Sequence, residues 1–490
     1  MSKVDTDIDE LDILDEGAPE DEGSSRQKAM PHSTPDESAA RGKAARAELP
    51  RSAHGGWEPA PMRRDPVDLL EDQARTRLPE LGPIRYGRML ASPFTFFRGA
   101  AYLMAADLAD GPRTGLYSQL CGDAHLSNFG IFAAPDRRLV FSLNDFDETL
   151  PGPFEWDVKR LAASLAVASR DRGFTDATRR AVVTAAVREY RTTMRRFAGM
   201  RNIHVWYARL DVESIRDQLG TSGKQMKRLQ STVAGARTKD SIRALTKLCR
   251  TVDGELRIIG NPPLVTPIED VLPGTEQEEL EDVVRRMIGT YRLTLPRDRR
   301  ELLESYRYVH AARKVVGVGS VGARTWILLM IGRDGGDPLF LQFKEAQASV
   351  LEPFLGKSEF EQHGQRVVEG QRMMQAAPDV MLGWERIITI DGVERDFYIR
   401  QLWDSKGSAE VEVMDPAELE AYGRVCGWTL ARAHARSGDR IAIASYLGRS
   451  DGFDRAMATF AETYADQNER DYRALEAAVT SGRVVAEVGI

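Results

Sequence analysis

Apolar residues recur at helical spacing over much of this chain and at alternating spacing over a shorter part. The two textures divide it. VKRLAASLAVAS followed by TRRAVVTAAVREYRTTMRRFA predicts helices over 157–200. In EDVVRRMIGTYRL the apolar residues Val283, Val284, Met287, Ile288 and Tyr291 form one helical stripe. The stretch YGRMLASPFTFFRGAAYLMAADLAD (86–110) begins the folded part, with helical spacing from Phe96 to the loop GPRTG. Residues 210–312 read as mostly helical, interrupted by a hairpin near GELRIIGNPPLVTPI. ELEAYGRVCGWTLARAHARSGD and DRAMATFAETYADQNERDYRALEAAV close the chain as helices.

The texture changes at 313. RKVVGVGSVGARTWILLMIGRDGGDPLFLQFKEA reads as three strands, the last two joined by a DGG turn. Alternation puts Leu339, Leu341 and Phe343 on one side, and Phe340, Gln342 and Lys344 on the other. A helix in EFEQHGQRVVEGQRMMQAA and a hairpin in ERIITIDGVERDFYIRQLW, turning at Asp391-Gly392, follow. Earlier, LYSQLCGDAH starts as one strand and RRLVFSLNDFDE is a second. The expected class is α+β. Helix-rich 64–312 and 406–490 flank a small antiparallel sheet at 313–405.

Composition adds limits. Residues 1–22 hold ten acidic residues against one lysine, and a Gly, Pro, Ser, Ala and Arg-rich stretch runs on to about 63. Such a segment buries too little apolar surface to offset its ordering entropy, so 1–63 reads as a disordered tail. A net charge of −7 argues against a protein that coats nucleic acid. Three widely spaced cysteines, Cys121, Cys249 and Cys426, exclude a disulfide framework and fit a reducing compartment. With no secretory signal and no long apolar run, the cytoplasm is the expected location and no membrane is expected as a partner. Lys224, Lys227, Arg228, Lys239, Arg243 and Lys247 make a locally basic region, which a solvated helical face explains as well as an anion site does.

GVGSVG, with Gly317, Gly319, Ser320 and Gly322, is a weak motif in isolation. No helix start follows it, as a dinucleotide fingerprint would need, and no GK[ST], as a P-loop would need. A glycine-rich turn between antiparallel strands fits instead, as in kinases, where the backbone drapes over nucleotide phosphates. Lys344 then stands where a phosphate-contacting lysine would lie. A lysine there needs a partner or a bound anion, unless it sits on a strand edge and reaches water. Glu361 and Glu369 are candidates to hold it, with Glu369 favoured.

In GDAHLSNFG, Asp123 and Asn128 are five apart, the D-x-x-x-x-N spacing of a kinase catalytic loop. NDFDE supplies Asp145 and Asp147 at a strand end, where a metal-binding carboxylate would lie; the metal ligands are then Asn128, Asp145 and Asp147. His125 makes the loop similar to GD-x-H-x-x-N of aminoglycoside and choline kinase-like enzymes. FEWDVKRLAAS resembles the helix start after the metal loop in those enzymes, with Asp157 as the aspartate bracing the catalytic loop.

GDAHLSNFG, NDFDETLPGPFEWDVKRLAAS, SPFTFFRGAA and DFYIRQLWDSKGS together closely resemble the bacterial domain of unknown function 2252 family, from about residue 64 to 490. That family is grouped with kinase-like folds and has no established reaction. The resemblance implies a two-lobe kinase-like fold. Since the glycine loop follows the catalytic loop, the fold would be circularly permuted. It implies ATP and Mg²⁺ as cofactors, Asp123 and His125 in catalysis, and a small-molecule acceptor. A non-catalytic nucleotide-binding regulator and an AMP-transferring enzyme are the alternatives. Metal-dependent hydrolysis is a more distant one, since no second histidine motif accompanies His125.

Overall fold

The Glu155–Asp171 helix is buried without interruption from Glu155 to Ser169, because Ala162, Ala163, Ala166 and Ala168 let other helices approach from every side. Asp176–Ala198, Pro416–Ser437 and Gly452–Thr480 pack around it. In this computed structural model the described residues are 33–489 apart from 216–232, 239, 273, 275–276, 390 and 403–404. The fold is mixed α/β, and its sheets are antiparallel.

A six-stranded sheet lies beside the helices. Its order is Gly383–Ile388, Glu394–Gln401, Pro338–Ala346, Thr325–Ile331, Arg307–Lys314 and Val265–Pro267. The predicted alternation holds. Leu339, Leu341 and Phe343 enter one apolar cluster with Tyr291 and Ile399, while Phe340 enters the other with Ile327 and Leu329. The hairpin turns at Asp391-Gly392 as expected, with Gly392 at φ +76°. The sheet begins before 313, since Arg307–Lys314 and the distant Val265–Pro267 both belong to it. A hairpin does lie near GELRIIGNPPLVTPI: Glu255–Ile258 pairs with the preceding Cys249–Val252, with Asp253-Gly254 as the turn, while Val265–Pro267 joins the six-stranded sheet.

Two partner strands have no distinct signal in the sequence: Leu150–Pro153 consists of turn-forming Pro and Gly after its leucine, and Phe129–Ala133 runs straight on from the GDAHLSN loop. Tyr117–Leu120 pairs with Leu150–Pro153, and Leu139–Leu143 pairs with Phe129–Ala133. These two pairings hold the loops 121–128 and 144–149 next to each other.

The reading of 1–63 as a disordered tail needs correction from residue 34 onward. Thr34 and Glu37 form a reciprocal capping box, and Pro35–Glu48 is a helix. It lies along Arg440–Leu447, with Gly42 so close to the Ala442 carbonyl that a side chain would overlap it. Composition missed this because the helix gains its stability from packing rather than from an apolar stripe of its own. Of the basic cluster, Lys224, Lys227, Arg228 and Lys239 lie outside the described residues, and Arg243 and Lys247 stand on the Ser241–Leu248 helix. Among the described residues no helix is long and apolar enough to cross a membrane. The three cysteines are free and buried.

Candidate functional site

The loop after Tyr117–Leu120 is fixed from below by one carboxylate. Asp157, in the first turn of the Glu155–Asp171 helix, accepts the backbone N–H of Cys121 at 2.8 Å and of Gly122 at 3.0 Å. His434 Nε2 lies 3.2 Å from Asp157, and Tyr190 OH lies 2.9 Å from His434 Nδ1, all buried. Asp157 therefore has the bracing contacts that its position in FEWDVKRLAAS suggested. Gly122 makes the loop possible: its φ is +81°, and a Cβ there would overlap the Glu148 carbonyl.

Above this brace, Asp123 Oδ1 accepts from Arg160 Nε at 2.8 Å, and Asp123 Oδ2 lies 3.6 Å from His125 Nε2. Arg160 is itself held by the Phe97 carbonyl at 2.6 Å and the Phe97 ring face. Burial raises the Asp123 carboxyl to about 6, with Arg160 opposing the rise. Burial, and then the charges of Arg98 and Arg160, push His125 well below the usual imidazole range. His125 Nδ1 accepts the Ser127 N–H at 3.2 Å, so the neutral ring carries its proton on Nε2, facing Asp123. The Asn128 amide donates to the Asp123 carbonyl at 2.8 Å, leaving its oxygen available.

The two carboxylates of NDFDE are not equivalent. Asp147 takes Lys344 and Tyr398, the latter donating at 2.8 Å, while Ser320 stands 2.8 Å from Lys344 Nζ. Among the described residues Asp145 accepts only the Asp147 N–H. Burial, and then the neighbouring Asp147 charge, raise the Asp145 carboxyl; in Asp147 the effect of burial is outweighed by Lys344, which holds it below the ordinary range. Burial alone would lower Lys344, but Asp147 and then Tyr398 raise it, so it stays charged.

The glycine loop closes over this pair. It connects Arg307–Lys314 to Thr325–Ile331, the turn between antiparallel strands that its sequence context predicted. Gly317 and Gly322 take φ of +70° and +92°. Arg77 donates to the carbonyls of Gly319 and Val321, both at 2.6 Å, and Arg88 to that of Gly317 at 2.6 Å. A cavity of about 560 Å³ results. Asp123, His125, Asn128, Asp145, Asp147, Gly317, Gly319 and Ser320 all line it; Gly322, Lys344 and Glu369 do not.

Residues 77–478 match the model of a family described as an uncharacterized protein conserved in bacteria, domain of unknown function 2252. The chain belongs to that family. No curated protein and no solved structure matches it significantly. The match begins at Arg77, the side chain that pins the glycine loop, and leaves the Pro35–Glu48 helix outside the part shared across the 2252 family.

In this member of the 2252 family the partner expected for Lys344 is different. Glu369 is half-buried on the His363–Met374 helix and pairs with Arg372 one turn away, at 2.9 Å. The residue that this helix sends toward the site is Arg366, which donates to the carbonyls of Asp147, Thr149 and Gln347 at 2.7–2.8 Å. Sequence reasoning also missed Arg160 and Tyr398. Both stood inside quoted motifs, and Arg160 follows Asp157 by three, one helical turn.

Among the described residues no group of three or more His, Cys, Asp or Glu side chains is arranged to hold a metal ion. The donors on the cavity wall are Asp145, Asp147 and the Asn128 amide oxygen. These are hard oxygen donors, too few for a complete shell. They fit Mg²⁺, which commonly takes one or two carboxylates and fills its remaining positions with phosphates and water.

Proposed function

We propose that this chain is an ATP-dependent phosphotransferase with a circularly permuted, kinase-like site, acting on a small-molecule hydroxyl. The supporting observation is convergence. Asp123, His125, Asn128, Asp145 and the glycine loop line one cavity, although the loop follows Asp123 by nearly two hundred residues. Lys344 joins them through Asp147 and Ser320.

In this reading the glycine loop and Lys344 hold the nucleotide phosphates, and Ser320 and Lys344 exchange their contact with Asp147 for phosphate oxygens. Asn128 and Asp145, with Asp147 once Lys344 has turned away, would hold Mg²⁺, which supplies neutralisation of the phosphate charge. The acceptor hydroxyl gives its proton to Asp123 as its oxygen bonds to the γ-phosphorus. The bond from that phosphorus to the bridging oxygen breaks, and ADP leaves. Arg160 keeps Asp123 oriented and sufficiently acidic to be ionised at neutral pH. Neutral His125 offers its Nε2 proton as a donor to the acceptor. Permutation accounts for the order of the motifs, since it moves the termini and leaves the cleft intact.

Calorimetric titration of ATP with Mg²⁺ into wild type, Asp145→Ala and Lys344→Ala tests the reading. Mg²⁺-dependent binding weakened in both variants is expected. Absence of nucleotide binding to the wild type under any divalent metal rejects it.

A further inference from the structure

The cavity carries seven carboxylate side chains on its wall and few cations to answer them. Arg77 is committed to the carbonyls of the glycine loop, and Lys357 is exposed at the rim. That leaves Arg98. It ends the Pro93–Gly99 helix, which a Ser92–Thr95 capping box starts and three buried phenylalanines, Phe94, Phe96 and Phe97, wedge between two apolar clusters. The helix is thus fixed, and Gly319 of the glycine loop rests against the Arg98 carbonyl, with only 3.1 Å available to a Cβ.

The Arg98 guanidinium has no hydrogen bond or ion pair to any described residue, and its Nε is buried. The half-buried fork thus stands on the cavity wall with no partner among the described residues and is available to a planar anion entering the cavity. Arg98 lines the same cavity as Asp123 and His125, and its charge acts on both of them and on Glu412. It is thus a cation of the wall on which the reading above puts the acceptor.

We propose that Arg98 binds an oxyanion carried by the acceptor, so that the substrate is a hydroxyl compound bearing its own carboxylate or phosphate group. This rests on the phosphotransferase reading for the word acceptor, but the anion site itself does not. A forked, bidentate contact would hold the anion at one end while the hydroxyl at the other end meets Asp123. Neutral hydroxyl compounds of the same size would lack this anchor and bind poorly.

The test titrates malonate and inorganic phosphate, each against a sodium chloride control of equal ionic strength, into wild type, Arg98→Ala, Arg98→Lys and Lys357→Ala, the last removing the exposed lysine of the rim. Mg·ATP is titrated in parallel. Binding of at least one anion is expected, weakened tenfold or more in Arg98→Ala, partly restored in Arg98→Lys and kept in Lys357→Ala, with Mg·ATP affinity unchanged by Arg98→Ala. Malonate alone would mark a carboxylate acceptor, and phosphate alone a phosphorylated one. The proposal is overturned if neither anion binds wild type, if Arg98→Ala binds them equally well, or if Arg98→Ala loses Mg·ATP instead. Anion binding that depends on Arg98 in a protein that binds no nucleotide would uphold the anion site and reject the phosphotransferase.

Discussion

Lys344 donates to Asp147, 197 positions earlier in the chain, and this contact joins the six-stranded sheet to the loop between the two short strand pairs. The lysine is almost wholly buried and the aspartate three-quarters buried, so neither charge is easily left without the other.

Lys344→Met leaves Asp147 with the hydroxyls of Tyr398 and Ser320 as its side-chain partners, and chemical denaturation should show a loss of about 3 kcal/mol, the lower end of the cost of removing one partner of a buried pair. Asp147→Asn should cost about as much, since it strands the lysine. The double variant should lose less than the sum of the two, and additive losses would show that the pair does not act as a unit.

Turnover should rise with pH through about 6 and then level off, because Asp123 must be ionised to accept a proton and its folded value is raised to about 6. Arg160 favours the charged carboxylate, so Arg160→Met should move the midpoint upward by about one unit. A profile that stays put in Arg160→Met would assign the ionisation to another group.

Asp157 does not line the cavity, yet its loss should be felt there. Asp157→Asn can accept from only one of the Cys121 and Gly122 N–H groups, and a buried donor left without a partner costs roughly 1–3 kcal/mol. Turnover should fall with little change in nucleotide affinity. Tyr190→Phe, one step further from the loop, should cost about 1 kcal/mol or less. Thermal unfolding and steady-state kinetics on both variants check the ranking.

Gly122→Ala combines a left-handed backbone with overlap of the Glu148 carbonyl, and should disrupt both loops of the site. Gly173→Ala is the control. Its φ is +68° with open space around it, so only the backbone cost of about 1–2 kcal/mol applies. Equal stability loss in the two variants would mean that the Gly122–Glu148 approach is not rigid.

Much of the site was legible because its residue types are tied to local spacing. Asp123 and Asn128 lie on one short loop, and Asp145 and Asp147 flank a buried phenylalanine at a strand end. The alternation of Pro338–Ala346 put Lys344 on the correct face before any partner was known. Other features had no local signature. The Pro35–Glu48 helix has almost no apolar stripe and resembles a tail in composition. Glu369 stands at a plausible place in the chain for a partner of Lys344, and the geometry gives it to Arg372.

By itself, then, the sequence determined the long helices, the hairpins of the sheet from Thr325 onward and which side chains can carry charge or offer oxygen ligands, since these follow from nearest neighbours and periodicity. Only the tertiary structure decided the pairings: Lys344 with Asp147, Asp157 with the Cys121–Gly122 backbone and His434, Asp123 with Arg160, and Arg98 with no described residue. Those choices depend on which distant elements pack together and on the high cost of a buried charge without a partner, and a one-dimensional pattern records neither.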